Sequence, residues 1–378
     1  MTYSVLSPAL LLLGVQVVVA CPFCTAVKPS LGQQRDEATV TLLADVARSE
    51  AGKWYLTIQK IFTGADRLPN PRHLTIDVAN ISGGSGVKAG QLALVLATPE
   101  GPESKSAWQI IPLDETSYAY VARSPSERLP AAKRLPYYAE YLEHANPLIA
   151  EDAYREFGNA SYDEVALVTD RLPFAALRRA IEDPHVPEAR QGFYGLALGL
   201  AKSAADRRAN ETVLQRLIDA DADDFRAGFD GVLGGYLMLT GTPGLIHVEK
   251  QLLANPQARS GDLRHAATAL RFVHEFDRGV IPDADLRRAM RRLLTRPETA
   301  PAAIIDLARW RDWDCLNDVV ALFSRAEFTD PATTAAVVGY LLACPRPAAV
   351  AALTRLREQD PQRVADAEIQ GILPAASH

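Results

Sequence analysis

The chain has 378 residues, of which 48% are hydrophobic and 23% charged, and its formal net charge is −6. That balance excludes wholesale disorder, collagen and a polytopic membrane protein, and four cysteines in this length exclude a disulfide-built miniprotein. The acidic surplus argues against a nucleic-acid partner, because such proteins carry a basic footprint.

Residues 9–20 read ALLLLGVQVVVA. A bilayer span needs about 20 apolar residues, so this run is too short and matches the apolar core of a secretory signal instead. Val18 and Ala20 suit cleavage before Cys21. The expectation is a signal peptide over residues 1–20 and an exported protein of the periplasm or cell envelope, although no Lys or Arg precedes the run. Val18-Val19-Ala20-Cys21 also resembles a loose lipobox. Lipidation of Cys21 is therefore a second expectation, and an uncleaved anchor is the third.

The segment 21–34 opens with Cys21-Pro22-Phe23-Cys24. Four fates stay open for this pair. A disulfide suits an oxidising compartment. A redox dithiol needs a strand before it and a helix after it, and here a signal-like run precedes it. Two thiolates are only half of the ligand set that zinc prefers. Lipidation of Cys21 is the fourth.

Residues 35–123 read as a small β-domain. Alternation marks strands around Thr39-Val40-Thr41-Leu42, Trp54 to Ile58, His73 to Val78 and Leu92 to Leu96, with shorter runs at 108–113 and 118–121. Turn signals at Ala51-Gly52, Pro69-Asn70-Pro71, Gly83-Gly84-Ser85-Gly86 and Pro99 to Pro102 separate them. Six short strands suit a closed or half-closed barrel. The phrase from Ile58 to Gly64, followed by Lys88-Ala89-Gly90-Gln91-Leu92, resembles the strand–turn rhythm of OB-like barrels of the netrin and TIMP type.

After a linker at 124–130 the apolar period changes from two to three or four, which predicts a helical region over residues 131–373. Prolines follow capping residues at Asn146-Pro147, Thr242-Pro243, Asp330-Pro331 and Asp360-Pro361. A polar cap satisfies free amides of the first turn, and proline at the first helical position loses no hydrogen bond. Similar starts near Pro147, Pro187, Asp224, Gly261, Pro297 and Pro331 recur every 34 to 40 residues. Two helices at that period signal a HEAT-like α-solenoid, and residues 142–153 are similar to the HEAT pattern. The fold class expected is α+β in two parts: a small N-terminal OB-like β-barrel, then an irregular HEAT-like α-solenoid. Residues 21–125 hold ten basic and ten acidic side chains, so the acidic surplus belongs to the helical part.

No catalytic constellation is visible. The seven histidines form no HExxH, and GxSxG, GxGxxG and the phosphate-binding GxxxxGK[ST] are absent. Hence no catalytic residue and no cofactor is assigned. Cys315 and Cys344 lie near the start of one predicted helix and the end of the next, so they are either a second disulfide or two buried apolar thiols. Arg287, Arg288, Arg291 and Arg292 are read as a solvated helix face. Gly228, Gly231, Gly234 and Gly235 predict close helix packing, and Trp310 and Trp313 a lock between repeats or a ligand platform. Asn80, Asn159 and Asn210 match the glycosylation pattern.

The CPFC motif after the signal, Asp224-Phe225-Arg226-Ala227-Gly228, Ala308-Arg309-Trp310-Arg311-Asp312-Trp313 and Gly339-Tyr340-Leu341-Leu342-Ala343-Cys344 together resemble an uncharacterised family of exported bacterial proteins. The resemblance implies architecture and compartment and carries no catalytic residue. The function expected is an exported interaction or scaffold protein that binds a protein partner along the helices. The alternative is a thiol-redox or metal-binding protein acting through Cys21 and Cys24.

Overall fold

The computed structural model describes residue 23 and residues 28–81, 87–98, 107–221, 225–276 and 279–370. The signal-like run, Cys21, Cys24, the loop at Gly83 to Gly86, the helix start at Asp224 and His378 lie outside the described residues.

The chain is α+β. A short helix α1 (Leu31–Glu37) leads into five antiparallel strands, β1 (Val40–Glu50), β2 (Lys53–Thr63), β3 (His73–Asp77), β4 (Leu92–Thr98) and β5 (Ala107–Leu113), in the spatial order β3-β2-β1-β4-β5. The β1–β2 hairpin turns through Ala51 and Gly52, both at positive φ, the geometry whose twist matches paired strands. Three register shifts in the β1–β2 ladder bend the sheet, because an extra residue on one strand increases local twist. The bend brings Ile81 beside Trp108 in an isolated parallel bridge, which makes the sheet a half-barrel.

Both faces of the central strands are buried, and the period of two separates them. Val40, Leu42, Ala44 and Val46 of β1, with Ala93, Val95 and Ala97 of β4, fill the half-barrel interior. Leu43, Leu94 and Leu96 face the other way and join the core of the helices. Alternation predicts the strand at 92–97, but the run is continuously apolar because both of its faces are buried.

The sheet is followed by α2 (Glu115–Arg123), α3 (Ala131–Ala139), α4 (Pro147–Gly158), α5 (Tyr162–Ala166), α6 (Phe174–Ala180), α7 (Gln191–Gly199), α8 (Ala204–Asp219) and α9 (Phe229–Thr240). The rest comprises α10 (Thr242–Val248), α11 (Ser260–Phe276), α12 (Asp283–Arg292), α13 (Ala300–Arg309), α14 (Leu316–Leu322), α15 (Pro331–Ala343), α16 (Pro347–Gln359) and α17 (Pro361–Gln370). Asn146, Asp330 and Asp360 accept first-turn amides of α4, α15 and α17, as the Pro-flanked starts predict. Gly241, not Thr242, occupies the cap position of α10.

Two expectations fail at helix starts. The predicted sixth strand at 118–121 lies inside α2. Asp114 and Ser117 form a reciprocal capping box there, which outweighs the β-propensity of a Tyr-rich run. The segment around residue 35, read as the start of the strands, belongs to α1, which Ser30 and Gln33 cap in the same way.

The glycines of α7 and α9 bring the two backbones into contact. A Cβ on Gly231 would lie 1.9 Å from the Gly192 carbonyl oxygen, and one on Gly235 would lie 2.0 Å from that of Gly195. Helix α9 packs in turn on α11, and α13, α15 and α17 pack in sequence.

Charged ties join segments about one predicted period apart. Arg190 reaches Glu151, Arg226 reaches Asp262, Arg271 reaches Asp306 and Arg346 reaches Asp314, at separations of 39, 36, 35 and 32 residues. The arginine stripe of α12 is solvated in large part, with Arg288 and Arg292 exposed, but it is also tied to neighbouring acids. Arg291 pairs with the buried Asp312, and Arg288 and Arg292 both approach Glu249 at 3.7 Å. Only Arg291 is drawn against a fully buried acid.

Cys315 and Cys344 are both buried and free, so no disulfide joins them. The Cys315 Sγ lies 3.3 Å from the Asp312 carbonyl oxygen and 3.6 Å from the Tyr340 hydroxyl. Trp310 stacks on His274 at 4.2 Å, whereas Trp313 packs edge-on against Tyr340, so the two indoles lock different helix contacts instead of forming one platform. Asn210 is fully buried and donates to the Leu198 carbonyl at 2.7 Å, which excludes a glycan there. Among the described residues no helix is long and apolar enough to cross a membrane.

Candidate functional site

The densest group of buried charge lies where α1, the sheet and α4 meet. Helix α4 sets one edge of it. Its inward face carries Ile149, Ala153 and Phe157, and on the same face sit Asp152 and Glu156, which are 3% and 1% exposed. A buried carboxylate requires partners.

Asp152 receives two. The Leu31 amide donates to its Oδ1 at 2.5 Å and the Tyr120 hydroxyl donates to its Oδ2 at 2.8 Å. The Leu31 amide is one of the free first-turn amides of α1, so the carboxylate both caps and anchors that helix. Burial pushes the Asp152 carboxyl up to about 6, against these two bonds, which favour the ionised form.

Glu156 lies one turn further along. Arg134 of α3 pairs with it and, at 3.1 Å, with Glu127, so one guanidinium serves two carboxylates. Burial, with the nearby Glu127 charge, pushes Glu156 up to about 8. Glu156 Oε1 and the Tyr138 hydroxyl are buried with no hydrogen-bond partner among the described residues. Both point at the α-carbon of Gly32, where a Cβ would lie 2.9 Å from the carboxylate oxygen and 3.2 Å from the phenol. Glu127 Oε1 would also lie 2.9 Å away, so a side chain at residue 32 would have to push aside the ends of these three side chains.

The rest of α1 is held as firmly. Arg35, 3% exposed, donates to the Ser124 and Pro125 carbonyls at 3.1 and 2.6 Å. Asp36 accepts from the Ser126 hydroxyl and the Glu127 amide, which lower its pKa although burial raises it. Around Asp152, Tyr120, Tyr137 and Tyr141 pack with ring centroids 4.9 to 5.5 Å apart. Burial and the facing Asp152 carboxylate hold the Tyr120 phenol far above its ordinary range.

Upstream of α1, Phe23 is 6% exposed. Its ring sits 4.7 Å from that of Phe272, and its Cζ would be 2.9 Å from a Cβ on Gly234. The middle of the CPFC motif is thus a plug in the glycine-lined surface of α9. Replacing Phe23 with Ala is expected to cost about 3–5 kcal/mol, the usual range for emptying a buried aromatic site. Urea denaturation of the variant measures it, and an unchanged midpoint would show that the plug carries no stability.

Outside the buried cluster, a cleft of about 870 Å³ opens between β5, the start of α1 and α4. Asp152 forms part of its wall, along with Lys28, Arg155 and Arg190. Glu151 bridges the two arginines, accepting from Arg155 at 3.1 Å and from Arg190 at 3.0 Å.

Chemically, the arrangement offers a buried carboxyl whose proton affinity is raised by desolvation, beside a cationic cleft. The candidate residues named from sequence do not assemble here. Cys315 and Cys344 lie elsewhere, and Cys21 and Cys24 are outside the described residues. Among the described residues no three His, Cys, Asp or Glu side chains are placed to hold a metal ion. Asp152, Glu156, Arg134 and Tyr120 carry no motif. The available signal was acid at i and i+4 on an otherwise apolar helix face.

No protein-family model matches the chain, and no curated protein is significantly similar to it.

Proposed function

We propose that this is an exported cell-envelope interaction or scaffold protein, in which the helices form an irregular HEAT-like α-solenoid behind an OB-like half-barrel and bind a protein partner along the array. The observation that carries the reading is the set of Arg–carboxylate ties at separations of 32 to 39 residues. Ties between successive units, each about one repeat long, are what a quasi-one-dimensional stack requires. Such stacks offer extended surfaces suited to protein partners. The export reading rests on the signal-like residues 9–20. Affinity capture from the envelope fraction under mild crosslinking tests it: a specific protein partner is expected, and recovery of none would overturn the scaffold reading. Intact mass of the mature chain tests cleavage before Cys21 and lipidation of it.

The second reading is thiol or metal chemistry at Cys21 and Cys24. It is favoured by the seating of Phe23 between them against α9, which fixes one point of the motif. Thiol alkylation with mass measurement distinguishes the outcomes. Thiols at Cys21 and Cys24 that react only after a reductant or a chelator is added support this reading, and a Cys21→Ser, Cys24→Ser double variant that behaves normally overturns it.

A further inference from the structure

We propose that the cleft between β5, the start of α1 and α4 binds a carboxylate-bearing ligand with an apolar body, held by Arg190, Arg155 and Lys28. This goes beyond partner binding along the helices and does not rest on it.

Size is the first observation. The cleft measures about 870 Å³, within the roughly 300–1,000 Å³ of small-molecule sites. It also lies at a joint between structural layers, where such sites concentrate.

Charge is the second. Three cations line the cleft against two acids. Asp152 is occupied on both oxygens by the Leu31 amide and the Tyr120 hydroxyl. Glu151 bridges Arg155 and Arg190, and Asp152 also faces Arg155, so three cations meet two acids and one positive charge is left over. The cleft is locally cationic in a part of the chain whose overall surplus is acidic.

The third observation is an unmet donor. Arg190 is 7% exposed, and its Nη2 donates to Glu151. Its Nε is buried and meets no acceptor among the described residues. A buried donor left unpaired costs about 1–3 kcal/mol. Glu151 holds the Nη2 edge of that guanidinium, so Arg190 contributes positive charge at the back of the cleft while the more accessible Arg155 and Lys28 donate to the ligand carboxylate. Leu31, Ile111 and Leu148 also line the cleft and supply apolar contact for the rest of the ligand.

The test uses the full chain and matched probes. N-acetyl-leucine carries the carboxylate and an apolar side chain, and N-acetyl-leucinamide lacks only the charge. Saturation-transfer NMR titrations are expected to show the acid binding at least about tenfold more tightly, the effect of one charge-assisted pair. Lys28→Gln with Arg155→Gln is expected to remove that preference. Both side chains are less buried than Arg190, so this double variant carries the test even if Arg190→Gln fails to fold. An acetylated tripeptide ending in leucine with a free C-terminus separates the sources. Tighter binding of the tripeptide assigns a peptide terminus, and equal binding assigns a small organic acid. The proposal is overturned if neither probe binds, if acid and amide bind equally, or if the preference survives the double variant.

Discussion

Replacing Gly231 with leucine is expected to unfold the helical region or lower its stability by more than about 3 kcal/mol. The reason is backbone contact. A single methyl at this position would lie 1.9 Å from the Gly192 carbonyl oxygen, and no rotamer relieves a clash made by Cβ itself. Helices α7 and α9 would have to separate, and α9 is also the surface on which α11 and Phe23 rest. Gly231→Ala should already be strongly destabilising. Gly339 in α15 is the control, since nothing lies within 4 Å of a Cβ placed there. Gly339→Ala is expected to stabilise by about 0.5–1 kcal/mol, the ordinary helical advantage of alanine. Urea midpoints measure all three, and comparable effects at residues 231 and 339 would refute close packing of α7 on α9.

The second large effect is on pH. Asp152 and Glu156 hold protons in the folded chain that they release in the unfolded one, with folded values of about 6 and about 8. Between the ordinary carboxylate range near pH 4 and those values the native state binds more protons, so stability falls as pH rises. The loss begins near pH 4 and is complete above about pH 8. Its size is on the order of 3 kcal/mol or more, because each tenfold difference in proton affinity between folded and unfolded chain is worth about 1.4 kcal/mol. Asp36 and Asp330 are displaced the other way. Their contribution is lost only on acidification through the carboxylate range, so it does not mask the slope above about pH 5. Asp306, also raised by burial, leaves a residual slope. Asp152→Asn combined with Glu156→Gln keeps the shapes and removes the titration, and should flatten the profile between pH 5 and pH 8. Stability that rises through this window, or a slope that survives the double variant, would show that the cluster at the joint is not protonated.

Local chemistry made much of the architecture legible. Capping residues before prolines mark α4, α15 and α17, because the first turn of a helix is satisfied within a few residues of chain. The change of apolar period near residue 130 places the boundary too late, because the sheet ends at Leu113 and α2 already spans Glu115–Arg123. The glycines at 228–235 announced a close backbone approach, and the structure supplies Gly192 and Gly195 as the surfaces approached. Where local signals compete, the pattern misled: Tyr118 to Val121 look like a strand, and the Asp114–Ser117 box makes them helical.

The joint was not legible. Leu31 and Asp152 are 121 residues apart, and Arg35 and Pro125 are 90 apart. Apart from the spacing of Asp152 and Glu156 on an apolar face, nothing near Asp152 distinguishes it from the solvated acids of other helices, and nothing near Arg291 announces its pairing with Asp312. Periodicity and caps depend on residues a few positions apart, so they survive in a linear reading. Which charges lose water, and which partner then satisfies them, depends on segments brought together only by packing, and the cost of an unpaired buried charge makes that pairing decisive.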